Sequence, residues 1–96
     1  MLAKLEDSDE DVREAAVQLL RQLPPEVLAA HAAAVVAKLE HSEWYVRQAA
    51  VQTLGKLPPA ELTKHKAALQ KVKKRDKDEY VRRAAAEALS KLQASE

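Results

Sequence analysis

The chain has no cysteine and no phenylalanine, and it holds one glycine, one tryptophan and two tyrosines. Without cysteine there is neither a disulfide framework nor a thiolate metal site. A single glycine excludes the Gly-rich loop that cradles phosphates. Aromatics at 3% are too few for a sheet protein of this size, which needs β-branched and aromatic residues and turn glycines. Long apolar runs are missing too: 32% of residues are charged, and no stretch approaches the roughly 18 apolar residues of a spanning helix. The opening MLAKLEDSDEDVRE has no cationic segment ahead of an apolar one, so it does not read as a signal peptide. These absences leave a soluble protein, cytoplasmic or recombinant and not secreted, with no membrane partner.

What is present is small and helix-favouring. Hydrophobic residues make up 47% of the 96, almost all of them Ala, Leu and Val, which points to one small domain of closely packed helices. Charge is uneven. Residues 1–60 hold six Lys/Arg and nine Asp/Glu, a balance of −3; residues 61–96 hold ten and six, a balance of +4; together these give the net +1.

A repeat organises the chain. At a shift of 34, Ala3-Lys4-Leu5-Glu6 falls on Ala37-Lys38-Leu39-Glu40, Val12-Arg13 on Val46-Arg47, Ala15-Ala16-Val17-Gln18 on Ala49-Ala50-Val51-Gln52, and Leu23-Pro24-Pro25 on Leu57-Pro58-Pro59. Between 2–34 and 36–68, 19 of 33 positions are identical. A third copy follows at a shift of 35, where Val81-Arg82 and Ala84-Ala85 match Val46-Arg47 and Ala49-Ala50.

Each unit reads as two helices. Pro25 and Pro59 suit a first helical position, and Leu23 and Leu57 can staple onto Leu28 and Leu62. The other helix follows a polar turn, with Ser8, Ser42 and Asp76 as the expected caps. Its Val12, Ala15, Ala16, Leu19, Leu20 and Leu23 follow the spacing of one buried stripe. Five helices are predicted, over about 9–23, 25–40, 43–57, 59–74 and 77–93, with 1–5 as the truncated end of a sixth. An all-α solenoid is the expected fold, since a two-helix unit buries its stripe only by stacking on neighbours.

The segments DEDVREAAVQLLRQL, SEWYVRQAAVQTLGKL and KDEYVRRAAAEALSKL pair an acidic turn with Val-Arg-x-Ala-Ala. That pattern resembles the second helix of HEAT repeats, most closely the phycobiliprotein-lyase HEAT-like subgroup. The resemblance implies a right-handed stack of helical hairpins and a ladder between units, with Arg13, Arg47 and Arg82 as its cations and Asp9, Glu43 and Asp78 as its acids. It does not carry over lyase activity. The near-identity of the units, and a start inside one, suggest a consensus-like or engineered array.

Chemistry finds little support. His31 and His65 share a repeat position, which sets them roughly 10 Å apart on packed helices, and His41 sits in a turn. No metal, cofactor or catalytic group is expected. The run Lys71, Lys73, Lys74, Arg75, Lys77, Arg82 and Arg83 could meet a phosphate backbone, but Asp76, Asp78 and Glu79 interrupt it and argue against nucleic acid.

Two departures from the repeat stand out. Trp44 and Tyr45 occupy positions held by Glu10 and Asp11 in the first unit, and exposed aromatics anchor protein interfaces. The helix 25–40 is apolar on almost every side, with Ala29, Ala30, Ala32, Ala33 and Val36 as its expected outer contact face. The leading expectation is therefore a non-enzymatic interaction module that self-associates through this helix, most simply as a dimer. The alternatives are a scaffold that binds another protein on the Trp44 face, and a nucleic-acid binder through the basic C-terminal third.

Overall fold

Carboxylates in the polar turns start two of the three helices that follow them. In the computed structural model, which describes residues 4 and 6–95, Asp9 is extended and its side chain accepts the Asp11 N–H at 2.8 Å, opening α1 (Glu10–Arg21). Asp78 does the same for α6 (Glu79–Ser95), accepting from Tyr80 at 2.8 Å and Val81 at 3.1 Å. Glu43 stands at that position before α3 (Trp44–Leu54) without a side-chain cap. The caps thus fall later than the predicted Ser8, Ser42 and Asp76. A residue two positions earlier holds each turn instead: Asp7 Oδ1, His41 Nδ1 and Asp76 Oδ1 accept the N–H of Asp9, Glu43 and Asp78.

The other helices start at proline. In α2 (Pro25–Ala37) and α4 (Pro59–Lys64), Pro25 and Pro59 take the first position, where a missing N–H costs nothing. The helix α2 then tightens into a 3₁₀ turn at Lys38–Glu40. Its counterpart in the second unit is not the single helix predicted over 59–74. It breaks at His65, whose φ of −107° and ψ of 9° separate α4 from α5 (Lys66–Arg75). The Thr63 hydroxyl donates to the Pro59 carbonyl at 2.8 Å, a back-bond that bends helices. The first unit has Ala29 at that position, and α2 runs unbroken to Ala37. Six α-helices and no strand are therefore formed among the described residues. The helix end predicted over 1–5 lies outside the described residues except for Lys4.

Helices α1, α3 and α6 form one layer, with α3 touching both neighbours. The helices α2 and α5 lie against α3 and α6, giving an all-α solenoid of stacked hairpins. One core runs through the stack. Leu20, Leu54, Leu62 and Leu69 are its largest fully buried side chains, each contributing about 1.5–3 kcal/mol. Thr53 is buried too, its hydroxyl donating to the Ala49 carbonyl at 2.8 Å. Between α3 and α6 the spacing is tight: a β-carbon on Gly55 would stand 3.3 Å from that of Ala88. Gly55 keeps an ordinary helical φ of −64°, so close approach is what its position requires.

Candidate protein-interaction surface

The turns that cap α1, α3 and α6 lie along one edge of the stack and carry its arginines. Arg47 Nη1 donates to the carbonyls of His41 and Ser42 at 2.8 and 3.1 Å, tying its own turn together. Arg13 and Arg82 hold the Asp7 and Asp76 carbonyls in the same way, at 2.8 and 2.6 Å. The link between units is Arg47 to Asp76, a two-point pair with Nε to Oδ2 at 2.9 Å and Nη2 to Oδ1 at 3.1 Å. Asp76 takes this role, in place of Glu43 or Asp78, because it lies in the next turn facing Arg47, while the Asp78 carboxylate is engaged by its own helix. Asp9 is likewise occupied by the Asp11 N–H.

His41 holds the position of Asp76 one unit earlier. Its Nδ1 accepts the Glu43 N–H at 3.1 Å, and Nε2 lies 3.1 Å from Glu6 Oε1. Lys38 meets the same carboxylate at 3.2 Å. Arg13 therefore meets a histidine, and not an acid, at the position that Asp76 holds in the third unit. It lies over the Tyr45 ring instead, 4.4 Å from the centroid, a cation–π contact that substitutes for the ion pair.

Tyr45 begins an aromatic strip. Trp44 meets it edge-on, with ring centroids 5.9 Å apart and planes at 86°. Tyr80 follows from the next unit, 6.1 Å from Trp44 and tilted by 37°. All three aromatic side chains of the protein are thus gathered in one cluster, although nothing in their spacing along the chain required it. Tyr45 is half-buried, but Trp44 remains 42% exposed and Tyr80 57%. Tyr80 shares a repeat position with Tyr45, a signal that could have placed it in the strip.

The outer face of α2 differs from its expected composition. Ala32 is 5% exposed and belongs to the core, and Val36 packs against that core. Ala29 is half-buried, whereas Ala30 and Ala33 are exposed together with Val27, Ala34 and Ala37.

Two grooves flank these features. One, of about 330 Å³, runs across α1, α3 and α6, with Glu10, Glu14 and Glu87 facing Lys56 and Lys91. The other, of about 370 Å³, lies between the 3₁₀ turn and α5, its floor formed by Leu39 and Val72 and its rim by Lys71 and Arg75. The remaining basic residues near the end of α5, Lys73 and Lys74, are exposed. Among the described residues no group of three or more His, Asp or Glu is placed to hold a metal ion, and no helix is long and apolar enough to cross a membrane.

Stacked two-helix units joined by an arginine–aspartate pair at their turns define a helical-repeat protein. The family model for HEAT repeats matches residues 1–90, and the chain belongs to that family. HEAT repeats generally mediate protein–protein interaction or scaffolding and are typically non-catalytic. Neither the curated proteins nor the solved structures include a significant match.

Proposed function

We propose that this protein is a binding module that takes up another protein along the Trp44–Tyr45–Tyr80 strip. The clustering of every aromatic residue on one exposed edge carries the proposal. Large rings half out of water add apolar area at little entropic cost, and they stand where the first unit has Glu10 and Asp11. In a consensus-like array, as the near-identity of the first two units suggests, specific recognition belongs to such departures. Selection of peptides from a random library against the intact chain tests the proposal. Selected peptides should shift the emission of the sole tryptophan, and both Trp44→Ala and Tyr80→Ala should weaken them while leaving helicity unchanged. Peptides that bind Trp44→Ala as well as the parent would place the site elsewhere.

A second reading, self-association through α2, is supported by the exposure of Val27 at 40% together with Ala30, Ala33, Ala34 and Ala37. We rank it lower because alanine methyls contribute little area, and because Ala32 and Val36 serve the core of the monomer.

A further inference from the structure

Comparison of equivalent positions exposes one end of the solenoid. Val46 and Val81 are wholly buried, and Ala49 and Ala84, then Thr53 and Ala88, are buried against the preceding unit or within it. The same positions in α1 are Val12, half-buried, Ala15, exposed, and Leu19, 49% exposed. A leucine therefore stands open to water where the later units bury a threonine and an alanine.

The turn edge shows a matching pair of open ends. Arg82 holds the Asp76 carbonyl as Arg47 holds that of His41, but among the described residues no carboxylate lies ahead of it. Asp7 shares the repeat position of Asp76. One of its oxygens accepts the Asp9 N–H, and no arginine side chain of a preceding unit reaches the other among the described residues.

We propose that these ends meet between copies: a second copy of this chain stacks head to tail, α1 of one against α6 of the next. In that stack Arg82 of one copy takes Asp7 of its neighbour as Arg47 takes Asp76 within the chain. Charge supports the pairing. The α1 turn carries Asp7, Asp9 and Asp11, and α6 carries Arg82 and Arg83, the latter paired with Glu79, within halves of the sequence whose balances are −3 and +4. Size supports it too. Ala86 stands where Val17 and Val51 stand in the earlier units, which leaves room on α6 for Leu19, larger than the Thr53 and Ala88 it replaces. Such a contact joins two different surfaces, so it does not close at two copies and extends into short rods. This pairing involves neither the aromatic strip nor the α2 face, and it stands or falls apart from both.

Light scattering on the intact chain from about 10 µM to about 1 mM tests it. The mean mass should rise past that of two chains and fall as salt screens the paired ends. Leu19→Glu should raise the half-association concentration roughly tenfold or more, with helicity unchanged because Leu19 is exposed. Asp7→Arg should weaken association, and Asp7→Arg combined with Arg82→Glu should restore it. Should Arg82→Glu cost helicity, Leu19→Glu and Asp7→Arg decide the matter alone. A chain that stays monomeric at the highest concentration overturns the proposal. So does a mass that stops at two copies, or an assembly abolished by Ala30→Lys and indifferent to Leu19→Glu.

Discussion

Arg47 and Asp76 form the only two-point ion pair between the second and third units among the described residues, with side chains 11% and 6% exposed. The same arginine closes its own turn onto His41 and Ser42, and the same aspartate accepts the Asp78 N–H. One pair thus ties two turns internally and to each other. Its shielding from water sets it apart from Arg83–Glu79, an i,i+4 pair 69% and 61% exposed.

Asp76→Asn should consequently destabilise the fold by about 2 kcal/mol, because it leaves a shielded guanidinium without its counter-charge. Glu79→Gln should cost less than about 0.5 kcal/mol, as exposed pairs do. Urea denaturation followed by circular dichroism separates the two, and equal midpoints would show that the inter-unit pair contributes nothing.

Leu19 and Leu20 are chain neighbours with opposite surroundings, 49% and 0% exposed. Leu20→Ala empties a volume in the core and should cost about 3 kcal/mol, a large share of the stability of a domain this small. Leu19→Ala should cost under about 1 kcal/mol in the isolated chain. Thermal melts at low protein concentration are the appropriate comparison, since stacking between copies would protect Leu19 at high concentration.

On α2, lysine substitutions should divide in the same manner. Ala30→Lys places an ammonium in water and should leave the melting temperature within a few degrees of the parent. Ala32→Lys forces one into the core at a site 5% exposed and should unfold the chain or cost several kcal/mol. A cooperative melt for Ala32→Lys near that of the parent would contradict the assignment of Ala32 to the core.

Ala32 also shows where reading the chain alone stopped. Amphipathic helices display their phase through the edge between apolar and polar faces, and α2 has almost no such edge, so the sequence left its buried side open. Comparison with the second unit pointed the wrong way. Lys66 shares the position of Ala32 and is exposed, but it follows the break at His65 that separates α4 from α5. That break follows the Thr63 back-bond, which periodicity does not register. The repeat itself was legible, because proline pairs and Val-Arg-x-Ala-Ala recur in register. The same register marked Arg47, which makes the inter-unit pair, together with Arg13 and Arg82, which do not, and it missed the acid Asp76. Several carboxylates sit in each turn, and only the folded geometry shows that Asp76 points across while Asp78 serves its own helix. Trp44 and Tyr45 were marked as departures from the repeat. Their union with Tyr80 emerges only when the second and third turns lie side by side.

That side-by-side spacing is itself open to test at Gly55. The helices α3 and α6 approach so closely that a β-carbon there would meet Ala88 at 3.3 Å, with the Gln52 and Val51 carbonyls at 3.4 and 3.5 Å. Gly55→Ala adds one methyl and gains helix propensity, so the two effects oppose each other and the net change should be small. Gly55→Leu adds a side chain that Ala88 cannot accommodate and should cost about 1–3 kcal/mol by forcing the helices apart. The separation would also shift Tyr80 on α6 away from Trp44 on α3, so the tryptophan emission of the folded variant should change while its helicity does not. Adding Ala88→Gly should recover part of both losses, because it removes the methyl that the new side chain meets. A Gly55→Leu variant with unchanged stability and unchanged emission would mean that these helices are not held as close as the structure places them.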